Sequence, residues 1–337
     1  MEKDDIIIRN ALMHILDSTV GMPVLSDTVL NLNPDLNDFL RNHIYKVISG
    51  DDLKTCVFDE ETSTVYRLIQ EFSEETMVDM TKKLAELLYV IMNSNTAIPG
   101  ADVFFVTYQM KSQHYLAILK MNYKEVYMHY TSMNEVEENV NDIMKQCCAL
   151  PLNSGRLSEA VMISLEENTV QLIEKKFEVN GEKTNYLSEL YLQCHAKMSQ
   201  KTKLDIVTKA VDQINKKYFE EDFEKKMEAK SVIHNAYKEQ GVLKVEEIGE
   251  ELFGQIPEIK EEFVEKLEKY NLPKEEIKVT NEKTTKKFEK QYLTTDCGIE
   301  INIPMDEYNN KRHVEFITNP DGTISVLIKN VSHITTK

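Results

Sequence analysis

The stretch ADVFFVTYQMKSQHYLAILKMNYKEVYMHY, Ala101 to Tyr130, holds three β-prone runs separated by the short polar breaks KSQ and NYKE. Apolar and aromatic runs of this length, broken by a few polar residues, read as strands joined by tight turns. The expectation is an antiparallel meander. Downstream, SEAVMISLEENTVQLIEKKF, Ser158 to Phe177, reads as a further hairpin that turns at EEN. Upstream the period changes. TMVDMTKKLAELLYVIM, Thr76 to Met92, repeats apolar residues at Met77, Met80, Leu84, Leu87, Leu88 and Ile91, which is helical spacing. In NPDLNDFLRNHIYKVI, Asn33 or Asp35 can cap a helix beside Pro34, with Leu36, Phe39, Leu40 and Ile44 on its apolar face. The first part of the chain is therefore expected to be α+β, with roughly five strands and several helices.

From Tyr186 to about Tyr270 the pattern is helical. LDIVTKAVDQINKKY places Leu204, Val207, Val211, Ile214 and Tyr218 on one stripe. VEEIGEELFG and PEIKEEFVEKLEKY follow, with Gly254 and Pro257 marking the join. A lysine-rich connector, TNEKTTKKFEK, leads back to β structure. In NPDGTISVLIKN, Pro320 pre-sets φ for a turn, Asp321 favours the next position and Gly322 accepts a positive φ. With RHVEFIT before it, this reads as a terminal hairpin. Joined to CGIEINIP it would form a small three-stranded sheet, covered through Phe263, Leu267 and Tyr270. The organisation expected is an N-terminal α+β domain over 1–185 and a C-terminal domain over 186–337. The latter is helical over 186–270, then passes through the connector to a small antiparallel sheet at 291–334.

The chain has 337 residues, is 42% hydrophobic and 29% charged, and so has the composition of a folded globular protein. Its formal net charge is −17 and its sequence pI about 5.0. Whole-body attraction to nucleic acid is excluded by that sign, because each phosphate contact needs a lysine or arginine; a DNA surface would have to be a local basic patch. Cys56, Cys147, Cys148, Cys194 and Cys297 make an odd set with no C-x-x-C spacing, fitting neither a disulfide framework nor a zinc site. The opening MEKDDIIIRN is too acidic and too short in apolar residues for a signal peptide, and no run has the length of a membrane span. A cytoplasmic, reduced setting is expected, without membrane contact.

No P-loop, G-x-G-x-x-G or G-x-S-x-G occurs. The acidic runs EEN, FEEDFE and KVEEIGEEL read as solvated helix faces or turns. The eight histidines include no pair at i, i+3 or i+4, so no helix face presents two metal ligands. His14, inside ALMHILD, reads as a core histidine. Cys194 and His195 are adjacent, and neighbours on a strand or helix diverge. No catalytic residue, metal ligand or cofactor is assigned, and no enzymatic activity is expected; a metal-dependent nuclease built on scattered carboxylates has no ligand spacing to support it. The cationic groups are more informative. Lys283, Lys287 and Lys290 would share a face if the connector were helical, with Lys286 beside them. A second set, Lys201, Lys203, Lys209, Lys216 and Lys217, lies on or next to the helix that follows Tyr186. There Asp205 and Asp212 each precede a lysine by four residues, the spacing of an intrahelical ion pair that would neutralise it.

TDCGIEINIP followed by NKRHVEFITNPDGTISVLIKNV resembles the C-terminal signature of the bacterial nucleoid-associated protein family, often called NdpA-like. HILD, LSD and FLRNHIYK resemble its first block, and FFVTYQMKSQHYLAILKM its central β block. ALPLNSGRLSEAVMISLEENTVQLIEKKF and NYLSELYLQCHAKMSQKTK resemble the blocks that follow, so the resemblance runs in order over nearly the whole chain. It implies a non-enzymatic protein of the nucleoid whose ligand is double-stranded DNA; the resemblance assigns no contact residues, and the two lysine sets read above are the candidates for that contact. On a −17 body that association is expected to be salt-sensitive. The alternative is an acidic interaction module that reaches the nucleoid through a basic DNA-processing protein. Its docking surface would be an edge of the Val103–Tyr130 meander or the terminal hairpin, used by strand addition. An exposed edge would also suit a homodimer, which is expected.

Overall fold

The structure, a computed structural model, describes residues 2–133, 138–219 and 223–335. Glu220, Glu221 and Asp222 of the FEEDFE run lie outside the described residues. The chain divides into two compact units, Met1–Ser199 and Gln200–Lys337.

In the first unit the elements are β1 (Ile7–Leu16), α1 (Pro34–Ile48), β2 (Lys54–Phe58), α2 (Thr64–Gln70) and α3 (Met77–Ser94). β3 (Ala101–Met110), β4 (Gln113–Asn122), β5 (Lys124–Met133), β6 (Asn139–Ala149), β7 (Ala160–Ser164) and β8 (Val170–Ile173) follow. The short β9 (Phe177–Val179) and β10 (Glu182–Thr184), a π-helical turn (Leu187–Leu192) and β11 (Cys194–Ala196) complete it. Among the described residues seven strands form one sheet in the order β1-β3-β4-β7-β8-β2-β11, every pair antiparallel.

Local chemistry explains the elements. The Asn33 side chain accepts a hydrogen bond from the Leu36 N–H at 2.8 Å, the N-cap expected beside Pro34, and opens α1. β3 is apolar along its whole centre because both faces of the sheet are covered. Phe104 and Val106 pack with Leu40, Ile44 and Val47 of α1 on one side. Val103 and Phe105 pack with Leu84, Leu88 and Met92 of α3 on the other. Tyr186, Leu187, Tyr191 and Leu192 join this second core. Together with the β11–β2 pairing they tie residues 186–199 to the first unit, so the units part after Ser199 rather than after residue 185.

The meander is realised for two runs and not for the third. β3 and β4 pair from Ala101↔Asn122 to Met110↔Gln113. The other edge of β4 is taken by β7, whose AVMIS is buried at every position. KEVYMHYTSM carries polar residues on both sides and cannot fill that buried slot. It pairs with β6 instead, as a separate two-stranded hairpin exposed from Lys124 to Thr131.

In the second unit α4 (Gln200–Tyr218), α5 (Phe223–Gln240), β12 (Leu243–Lys244), α6 (Val245–Phe253), α7 (Pro257–Glu268) and β13 (Glu276–Ile277) precede α8 (Glu282–Glu289). β14 (Lys290–Thr294), β15 (Glu300–Pro304), α9 (Met305–Tyr308), β16 (Val314–Thr318) and β17 (Ile324–Ile328) close the chain. The terminal hairpin forms as read: Gly322 has φ 84°, and Asp321 accepts from the Thr323 N–H at 3.0 Å. CGIEINIP does not add to it. β15 pairs with β14, at the end of the connector, so two two-stranded sheets replace the single three-stranded one. Nor do the expected helix residues cover it. The Phe263 ring lies 5.4 Å from that of Phe253 of α6, tilted by 52°, and Tyr270 is exposed. The buried Met305 and the Tyr308–Phe316 ring pair at 5.5 Å place α9 against the terminal strands instead.

Candidate nucleic-acid interface

α4 is anchored by Leu204, Val207, Val211 and Ile214, all buried, which leaves Lys209 and Lys216 exposed on the opposite face. The connector is helical as α8. The Asn281 side chain accepts from the Lys283 N–H at 2.9 Å to start it. Phe288, buried, anchors it with its ring 6.4 Å from Tyr237 of α5. Lys283, Lys286 and Lys287 are exposed on α8, and Lys290 is exposed at its end.

The Lys287 ammonium lies 3.0 Å from the Asp205 carboxylate. That contact links α8, which packs on α5, to α4, so the two helices that carry the lysine sets meet at one ion pair. It also undoes the expected intrahelical pairing. Asp205 is engaged by Lys287 rather than Lys209. Desolvation raises the Asp212 carboxyl above its ordinary range, an effect the nearby Lys287 charge opposes. Among the described residues Lys209 and Lys216 have no carboxylate within ion-pair distance, and Lys201, Lys283 and Lys290 are alike in this. The others are partly neutralised. Lys203 is paired with Glu275, and Lys286 lies 3.8 Å from Glu282. Lys217 contacts Glu262 at 2.7 Å, and the Tyr218 hydroxyl donates to the same carboxylate at 2.6 Å. Those hydrogen bonds lower the Glu262 carboxyl to about 2 and raise Lys217 to about 12. Glu262 shares an open surface with Glu258, Glu261 and Glu265 of α7 and with Lys266 and Lys269, four carboxylates to two ammonium groups, so Lys217 is tied to an acidic neighbour rather than left for phosphate.

One cation escaped the sequence reading. Lys230 of α5 donates to the Lys290 carbonyl at 2.8 Å and sits 5.7 Å from the Tyr292 ring centre, extending the lysine surface towards β14. No spacing signal links residues 230 and 290; packing alone brings them together.

Other chemistry-bearing residues stand apart. Cys194 is buried and His195 exposed, the divergence expected of neighbours on a strand. His14 is buried; its Nδ1 accepts from the Ser26 N–H at 3.0 Å, and its Nε2 lies 3.1 Å from the Thr81 hydroxyl. Burial, reinforced by the Lys82 charge, lowers this imidazole to about 4. Among the described residues no group of three or more His, Cys, Asp or Glu side chains is placed to hold a metal ion, and no helix is long and apolar enough to cross a membrane.

A family model described as nucleoid-associated protein YejK matches residues 12–335, nearly the whole chain. No curated protein matches it.

Proposed function

The chain belongs to the nucleoid-associated protein family, and from that premise we propose that it binds double-stranded DNA directly, without catalysis, through the lysine face of α4 and α8. The observation that supports this reading is the Lys287–Asp205 contact, which links α8, with exposed Lys283, to the helix that bears exposed Lys209 and Lys216. Such a surface supplies phosphate contacts that position the protein without reading sequence. Its setting on an acidic chain makes the association dependent on low salt. The location that follows is the bacterial nucleoid.

The test is a titration of labelled duplex DNA at two salt concentrations with the wild type and with Lys209→Glu/Lys283→Glu. The wild type is expected to bind more weakly at the higher salt. The double variant should lose at least about tenfold in affinity and flatten the salt slope by about 2, since each phosphate contact contributes ~0.9. Wild-type protein that does not bind at low salt, or a variant that binds as well, refutes the proposal. The acidic surface of α7 favours a second reading, docking on a basic DNA-processing protein. Pull-down from nuclease-treated lysate separates the two, because partners lost with the DNA count against it.

A further inference from the structure

Cysteines that follow one another along a regular strand point to opposite faces of the sheet and cannot bind one ion together. Cys147 and Cys148 of β6 are an exception, and the strand register shows why. Lys124 stands opposite Ala149 and Val126 opposite Gln146, so one residue of β5, Glu125, faces two residues of β6. This is a β-bulge whose doubled positions are Cys147 and Cys148. Lys124 and Val126, two apart, share one face, and their partners Ala149 and Gln146 share it with them. Cys147 and Cys148, each next to one of those partners, therefore both fall on the other face, with Glu125. The Lys145 ammonium, 2.7 Å from the Glu125 carboxylate, lies on that same face. Both thiols are free and exposed. A bulge interrupts the ladder of hydrogen bonds; here it turns two thiols the same way.

We infer that Cys147 and Cys148 are a chelating site for a soft monovalent metal ion of the copper(I) class, held by two thiolates. The donor set selects the ion. Thiolate sulfur favours soft metals over hard ones. A structural zinc site takes four ligands, and among the described residues no group of three or more His, Cys, Asp or Glu side chains is placed to hold a metal ion. Two sulfurs are enough for a closed-shell monovalent ion, which accepts two-coordination. Each thiol loses its proton as its sulfur takes the ion, so binding releases two protons and leaves one negative charge on the complex. Lys145 is on the right face to meet that charge. The Glu125 hydrogen bond raises its ammonium above the ordinary lysine value, and a thiolate at Cys147 adds to the effect. The inference does not rest on the DNA-binding proposal, because no residue of α4 or α8 takes part.

The test is a titration of the full chain with copper(I), kept reduced by ascorbate without oxygen, against the chromophoric competitor bicinchoninate. The wild type is expected to withdraw one ion per chain and to gain an ultraviolet thiolate-to-copper charge-transfer band. Cys147→Ser and Cys148→Ser should each weaken uptake by more than about a hundredfold, beyond the loss usual for a residue that only supports a ligand. Cys297→Ser, which removes an exposed thiol of the other unit, should leave uptake unchanged. Gln146→Cys/Cys148→Ser tests the geometry. It keeps two adjacent cysteines but moves the pair to residues on opposite faces, and should bind no better than the single variants. All four positions are exposed, so the variants should keep the wild-type thermal transition. Three outcomes overturn the inference: a wild type that takes no copper from the competitor; uptake that survives either Cys147→Ser or Cys148→Ser; or a Gln146→Cys/Cys148→Ser chain that binds as the wild type does.

Discussion

His43 is fully buried, and neither ring nitrogen has a hydrogen-bond partner. Its ring meets Phe39 edge-on at 4.6 Å. Burial first, then the charges of Lys46 and Lys124, hold the imidazole at about 4. The native state therefore binds fewer protons than the unfolded chain between pH 6.5 and 4. Its stability is fully present above pH 6.5 and is lost as the pH falls towards 4. His43→Leu removes both the orphaned nitrogens and the proton uptake. It should raise stability at pH 7 by about 1 kcal/mol and flatten the acid limb of urea-unfolding free energy against pH; an acid limb as steep as that of the wild type would contradict this account. The buried Lys120 is a different case. It lies 3.3 Å from Glu159, which also accepts from Asn122 at 2.6 Å and from the Tyr186 hydroxyl. Removing one member of such a set strands the other's charge. Lys120→Met should therefore cost about 3–5 kcal/mol, with Lys120→Met/Glu159→Gln recovering part of it in a denaturant titration.

At the scale of elements, the contact that makes the candidate interface is between helices. Asp205 lowers the positive charge of the surface it organises. Asp205→Asn should strengthen duplex binding several-fold at low salt and steepen the salt slope by about 1, while changing stability by less than about 0.5 kcal/mol, because the ion pair is half-exposed. Weaker DNA binding in that variant would mean that Lys287 needs Asp205 to hold it in place. The same scale explains the divided meander. β4 has one free edge, and the strand that fills it must be apolar on both faces. AVMIS meets that condition, and KEVYMHYTSM does not.

At the scale of the whole molecule, a net charge of −17 opposes any approach to DNA, and the exposed lysines must overcome it locally. With the five unpaired lysines Lys201, Lys209, Lys216, Lys283 and Lys290 as the contacts, the slope of log affinity against log salt should be about −4 to −5. Raising salt from ~50 to ~200 mM should then weaken binding by two to three orders of magnitude. A slope near zero would show that phosphate contacts are absent.

The sequence by itself determined the mixed α+β class, the main helices, the NPDG turn and the family. The first three depend on periodicity and turn chemistry that act within a few residues of each other, and the family on short blocks whose order along the chain needs no folding to read. It also singled out the lysines of α4 and α8 as the cationic candidates. Tertiary structure alone decided which strand takes the free edge of β4, that CGIEINIP pairs with β14, and that residues 186–199 belong to the first unit. It alone also moved Asp205 from Lys209 to Lys287 and brought Lys230 to the end of α8. The reason is common to all of these. Each is a competition between partners distant in sequence for one edge, one apolar surface or one carboxylate, and only the packed chain settles which partner arrives.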